Sequence, residues 1–389
     1  MVKFVRALFF ISVACMGACS QENGSDILIP ANAVEFDVHG NFSFQVNTAI
    51  DTNTFGTLID NNYHLRIPFC ETTNKGTIIV GADVRENTYS DQTAISLGIV
   101  RSTDEGKNFI TPQIVIPHTN ESEWDRAMDG TILVDRNSGR IFIFAHRIKT
   151  TDVWETIHKK GNYGFDFVYV YSDDDGLTWS EPQSFRKSLT LDIDGTSIVS
   201  LFGGVGHGIT MTDGTLVLPI QCKMAMEDDS AAYNIQSGIA YSRDGGNTWK
   251  CESLVSCYSS ENMVVEYEKG KLLLNAKSYI SKRRVFISAD LGKSWEVHES
   301  DKTLIEPIAC QGTLHKIGKW GFFLNPRNES TRSNLTLQIT DDFVSWHPIL
   351  ELYPEHCFGY SCICNEDQKL YAVSETMGGA ILFYKIYQE

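Results

Sequence analysis

Side chains of the kinds that bind anions or move protons stand at the edges of short apolar segments in this 389-residue chain. Arg66 lies in HLRIPF (64–69), and Asp83, Arg85 and Asp91 lie in GADVRENTYSDQ (81–92). Glu261 precedes the apolar run in SSENMVV (259–265), and Arg332 stands in NPRNESTRSN (325–334). Tyr360 follows a glycine, and Glu375 closes AVSE. A guanidinium fork matches a carboxylate bidentately, and carboxyl and phenol groups pass protons to and from a reacting centre. Singly, each also has a plainer reading. Arg66 can be a strand-edge arginine paired to an acid, and Asp91 a turn residue in a Ser/Thr/Gln-rich loop.

The elements that would carry these residues repeat. SDDDGLTW (172–179) is matched by SRDGGNTW (242–249), SADLGKSW (288–295) and STDEGKNF (102–109), with a shortened echo, TDDFVSW, at 340–346. Only one acidic position persists through the complete copies, Asp104, Asp174, Asp244 and Asp290. Each frame follows a β-rich run such as DFVYVYS or RRVFIS, so Asp-x-Gly reads as a tight turn: glycine supplies backbone freedom and aspartate caps N–H groups. The closing aromatic is expected to pack between strands of its own blade. Asp173 and Asp175, at variable positions, read as solvated turn residues. Starts separated by 70, 70, 46 and 52 residues suit four-stranded units repeated around an axis. At roughly 55–65 residues per unit, the fold expected is an all-β, six-bladed β-propeller.

The ends and the charge set further bounds. Residues 1–19 have Lys3 and Arg6 ahead of an apolar run, which reads as a secretory signal too short to span a membrane with ordinary flanks. Met16-Gly17-Ala18-Cys19 resembles a bacterial lipoprotein cleavage site with Cys19 lipidated, residues 20–31 form a polar tether, and residues 32–389 form the propeller. The expectation is an exported, monomeric cell-envelope lipoprotein whose only membrane contact is the lipid anchor. A net charge of −16 argues against nucleic-acid binding, and an acidic ligand needs a local cationic pocket. The other eight cysteines lack paired zinc spacing, although Cys251 and Cys257 are close enough in sequence to pair. No metal-ligand cluster, phosphate-cradling loop or Gly-x-Ser-x-Gly elbow occurs.

Taken in order along the chain, these segments resemble the bacterial sialidase (neuraminidase) family. The resemblance rests on Arg-Ile-Pro at 66–68, the repeated Asp boxes, GVGHGITMTDGTLVLPIQ (204–221), CQGT (310–313) and LNP (324–326). It implies a six-bladed propeller with a central pocket for a 2-keto acid sugar, and an exo-α-sialidase acting on sialylated glycans without a metal or cofactor. It implies that Arg66 and Arg332 clamp the sugar's carboxylate and that Glu375 holds Arg66 in plane. Arg85 joins the substrate-binding set. Asp91 would be the acid/base, Tyr360 the nucleophile and Glu261 the base that polarises its hydroxyl. Sialidases with a tyrosine nucleophile are a recognised exception among two-carboxylate glycosidases. A phenol has a physical advantage here, because an attacking carboxylate would meet the substrate's own carboxylate with about 4 kcal/mol of repulsion at roughly 4 Å and an effective dielectric near 20.

One position departs from the resemblance. LLLNAK places Lys277 where the family has a second clamp arginine, and a lysine offers a point charge without a fork. Lysine serves as one of three cations, or it reshapes the pocket for a deaminated sialic or octulosonic acid, or the protein binds glycans without turnover. Nothing in the sequence reads an N-acetyl group. Trp124 and Phe202 are candidates for such a wall and equally ordinary packing residues.

Overall fold

The computed structural model describes residues 36–59, 62–119, 125–149, 165–193, 198–224 and 234–389. The leader at 1–19, Cys19, the 20–31 tether and Trp124 lie outside the described residues. The described chain is an all-β propeller of antiparallel strands joined by short turns. Strands in the middle of the sheets are buried on both faces. Ile95–Ser102 and Trp320–Pro326 show no exposed position, because each sheet is covered by its two neighbours. Outer strands such as His347–Tyr353 are largely open.

The ladders form five sheets, not six separate ones. Three have four strands: Ser361–Glu366, Lys369–Glu375, Ile381–Gln388 with Phe42–Ile50; Asn262–Glu268 through Glu296–Val297; and Thr313–Ile317 through His347–Tyr353. A six-stranded sheet is built around Leu216–Met224 and Ile235–Ser242. The remaining sheet has nine strands. Its two antiparallel sets, one beginning at Tyr63–Thr72 and the other at Arg126–Val134, are joined through the parallel pair Ile95↔Arg126. That pair is what makes the two sets one sheet, and the five sheets differ from the six expected. The first sheet takes its outer strand from the other end of the chain, Phe42 opposite Gln388 and Ile50 opposite Ile381.

The Asp boxes are turns, as their spacing implies. In the second, Ser172 Oγ donates to Asp174 Oδ1 at 2.8 Å, and Asp174 accepts from the Thr178 N–H at 2.8 Å and its hydroxyl at 2.6 Å. Gly176 and the residue before it, Asp175, are both left-handed, at φ 77° and 68°, which is why a glycine recurs there. Two expectations change. Asp175 is not merely solvated: its carboxylate accepts from the hydroxyls of Thr73 and Thr77, at 2.6 and 2.7 Å, and from Arg101 at 2.9 Å. Its positive φ turns the side chain onto the neighbouring strands. Trp249 packs on Phe142, Phe144 and Phe185, outside its own sheet, since the ring's bulk fills the gap between sheets. Cys251 and Cys257 are free thiols.

Candidate active site

A cavity of about 260 Å³ is lined by residues from strand starts and connecting loops spread over the whole chain, including Arg66, Asp91, Glu261, Lys277, Arg332 and Tyr360. The sequence separations are large, up to 309 residues for the bonded pair Arg66 and Glu375. Only a closed arrangement of sheets brings them together.

Two irregularities in innermost strands aim side chains inward. The register between Tyr63–Thr72 and Ile78–Glu86 slips between Arg66 and Phe69, and Ile67 takes φ 55°. A bulge of this kind re-aims the flanking side chain. It frees the Ile67 N–H to donate to Glu375 Oε1 at 2.7 Å. The Arg66 guanidinium donates from Nε to Glu375 Oε1 at 3.0 Å and from Nη2 to Oε2 at 3.3 Å, and lies 4.2 Å over the Phe358 ring. Glu375 also accepts the Tyr360 N–H at 3.0 Å, so one buried carboxylate fixes both Arg66 and the backbone of Tyr360. Gly359, at φ 95°, precedes that tyrosine. A Cβ there would stand 2.7 Å from Cys310 Sγ, so both conformation and space exclude a side chain.

Tyr360 faces Glu261. Its hydroxyl donates to Glu261 Oε1 at 2.6 Å, and the Lys277 ammonium lies 2.8 Å from the other oxygen, Oε2. Glu261 and Lys277 stand just beyond the Asn262↔Ala276 end of two paired strands, with the Lys277 N–H donating to the Glu261 carbonyl at 2.8 Å. Burial pushes the Tyr360 phenol well above its ordinary range, and the Glu261 carboxylate adds to that, so the phenol is neutral at rest. Burial pulls Lys277 down, but the Glu261 charge outweighs it and leaves the ammonium above its usual value. Arg332 donates to two carbonyls, Phe358 and Ala309, each at 2.7 Å. Its charge is therefore held by dipoles, in contrast to Arg66.

Asp91 is 63% exposed at the cavity mouth and accepts from Arg85 Nη1 at 2.6 Å. Arg85 itself does not line the cavity, contrary to the substrate-binding role expected for it. Its side chain is fully buried, donating to the Tyr89 carbonyl, Asp91 and Asp83. It sits behind the loop because two carboxylates and a carbonyl draw it in, and there it holds Asp91 in place.

The cavity also holds Asp129, which sequence reasoning missed. It sits at φ 60° within a second register slip, between Met128 and Thr131, and its N–H donates to Asp83 Oδ1 at 3.0 Å. Burial drives its carboxyl well upward, helped by the charges of Asp83, Glu261 and Asp91. The signal was the Asp-Gly pair inside the apolar run RAMDGTILV, since Gly in a strand marks a bulge. A more apolar wall is formed by Met128, Ile148, Phe202 and Ile235. His146 belongs to that wall, stacked between Phe165 and Phe202 at centroid distances of 4.7 and 4.6 Å. Burial depresses His146 to about 3, so it is a neutral ring. Of the two wall candidates named from sequence, Phe202 lines the cavity. Arg66, Lys277 and Arg332 line the cavity together with the carboxyl groups of Glu261, Asp91 and Asp129.

Residues 71–346 match the family described as BNR repeat-like domain. A sialidase of Clostridium perfringens is 31% identical over 338 residues, covering 82% of this chain and 87% of the relative. A sialidase of Bacteroides fragilis is 33% identical, covering 80% and 59%. Among solved structures, a Hadza microbial sialidase superposes with TM-score 0.75 at 30% identity, covering 84% of this chain and 66% of that one. A Trypanosoma rangeli sialidase in complex with a 2,3-difluoro-nononic acid superposes with TM-score 0.71 at 26% identity. With 276 residues matched, and a relative above 30% identity covered over most of its length, the chain belongs to the sialidase family of BNR-repeat glycoside hydrolases.

Proposed function

We propose that this chain is a retaining exo-α-sialidase that releases a terminal sialic acid through a tyrosine nucleophile. The observation that carries this reading is the Tyr360 hydroxyl bonded to Glu261 at 2.6 Å inside a cavity lined by Arg66, Lys277 and Arg332. The substrate's carboxylate enters between the guanidinium groups, where fork geometry fixes its plane. Asp91 gives its proton to the leaving oxygen as the bond to the anomeric carbon breaks. The Tyr360 oxygen bonds to that carbon and its proton passes to Glu261. Asp91, now a carboxylate, takes a proton from water, which attacks the same carbon. The bond to Tyr360 breaks, and Glu261 returns the phenolic proton. Two inversions give net retention. A neutral phenol suits this path, since a charged nucleophile would repel the bound carboxylate.

The same reading takes the nine-stranded sheet as two blades joined by one bridging pair, giving six blades around the cavity. The antiparallel order within each half and the single junction at Ile95↔Arg126 support it. The N-terminal signal and Cys19 support export and lipid anchoring.

The test is release of free 2-keto acid from α-ketosides of N-acetylneuraminic, deaminoneuraminic and octulosonic acids by the chain and by Tyr360→Phe. Release of N-acetylneuraminic acid, lost in Tyr360→Phe with the melting temperature unchanged, is the expected result. Equal turnover by Tyr360→Phe refutes the nucleophile. Release of a different acid alone reassigns the substrate.

A further inference from the structure

We infer that Lys277 is a positioning residue for the nucleophile pair: its ammonium serves Glu261 and leaves the substrate's carboxylate to Arg66 and Arg332. This rests on the assignment of Tyr360 and Glu261 as nucleophile and base. The two oxygens of Glu261 are divided between two partners, the phenol on Oε1 and the ammonium on Oε2. The approach to Oε2 is close but not aligned as a hydrogen bond, so the contact acts through charge.

The backbone enforces this pairing. Glu261 and Lys277 stand immediately beyond the Asn262↔Ala276 end of an antiparallel ladder, where the Lys277 N–H donates to the Glu261 carbonyl at 2.8 Å and the Ser260 N–H to the Lys277 carbonyl at 3.1 Å. Opposed cross-strand side chains share a face and meet without searching. A lysine carries its charge on one atom, and that atom is already committed. A guanidinium could grip a carboxylate with one edge and a second anion with the other in a fixed plane; the ammonium lacks that fork, and its contact in this structure is Glu261. Arg332, hydrogen-bonded to carbonyls and lying over the Tyr360 ring, and Arg66 supply the forks for the ligand.

The groups facing Glu261 are Tyr360, Lys277, Arg332, Asp129 and Cys310, and those facing Lys277 are Glu261, Tyr279, Glu306 and Cys310. Cys310 is held as a neutral thiol by burial, near 12. Lys277 is the cation in direct contact. A cation in contact favours the charged form of a carboxylate, and removing Lys277 takes that cation from the base.

The experiment compares Lys277→Met and Lys277→Arg in the full chain. Turnover is read against pH, with kcat and KM separated, and the infrared carbonyl band of protonated Glu261, assigned through Glu261→Gln, is titrated in parallel. The expected result for Lys277→Met is a kcat at least about tenfold lower, KM within about threefold, and an acid limb moved up by about one pH unit. Lys277→Arg returns the limb to its original place. A Lys277→Met variant whose KM rises about tenfold or more with kcat and the acid limb unchanged assigns Lys277 to the clamp and overturns the inference. The band decides the matter without turnover. If Glu261 protonates at the same pH in the parent chain and in Lys277→Met, Lys277 does not serve it. If no ketoside is hydrolysed by the parent chain, the function fails while the band still reports on the pairing.

Discussion

Aspartate occupies two regions of this molecule and behaves in opposite ways. In the outer turns, Asp104 and Asp174 stand in water and accept N–H and hydroxyl groups of their own loops. The Asn108 N–H and the Thr178 hydroxyl are the leading partners, and both carboxyls fall to about 2. At the centre, burial raises Asp83 to about 6 despite Arg85, and burial raises Asp129 as well. Local hydrogen bonds favour the ionised form and desolvation opposes it. The first arrangement shapes a turn, and the second keeps carboxyl groups near the point of proton exchange. A motif rich in acids is therefore not where the acids do chemistry.

The comparison can be pressed from its strongest point. Asp91→Asn is expected to lower kcat/KM by about 10²–10⁴ while leaving the melting curve alone, because the side chain is 63% exposed. A matching loss of stability would place Asp91 with the structural aspartates. Arg66→Ala leaves Glu375 buried without its cation and is expected to cost about 3–5 kcal/mol in urea unfolding. Adding Glu375→Gln should recover part of that cost, and no recovery would deny the pairing. Next comes pH. Asp83 is raised from 3.8 to about 6, so the folded state binds its proton more readily. Its contribution then declines as pH rises through that window, by on the order of 3 kcal/mol. Asp83→Asn should flatten the slope there. The turn carboxylates carry the reverse sign: stability present above 3.8 is lost as pH falls towards about 2. Smallest of all, Asp174→Ala should cost about 1 kcal/mol of stability and leave kcat/KM unchanged.

Legibility in the sequence followed the same division. The turns could be read because every determinant of Ser172–Thr178 lies within seven residues and recurs. The strands could be read from their β-branched and aromatic runs. The sheet count could not, because the bridge from Ile95 to Arg126 depends on how neighbouring units approach, which no local pattern records. At the site, Arg66, Asp91, Glu261, Arg332 and Tyr360 line one cavity, as the resemblance implied. Arg85 was misplaced because its three acceptors, the side chains of Asp83 and Asp91 and the carbonyl of Tyr89, are assembled only by folding. Asp129 was missed because its inward aim comes from a slip in register, and composition does not report φ. His146 was missed for the related reason that its two aromatic neighbours come from other strands.

The pairing of Phe42–Ile50 with Ile381–Gln388 has a consequence for how the molecule is made. Contacts separated by almost the full chain length are slow to form, since a very long loop must close before they repay it. A ribosome must deliver residue 388 before the strand that begins at residue 42 can find its partner. Every earlier sheet waits in an open ring with a bare edge, and such edges recruit other chains. Assembly in this protein is therefore finished by its first described strand and timed by its last.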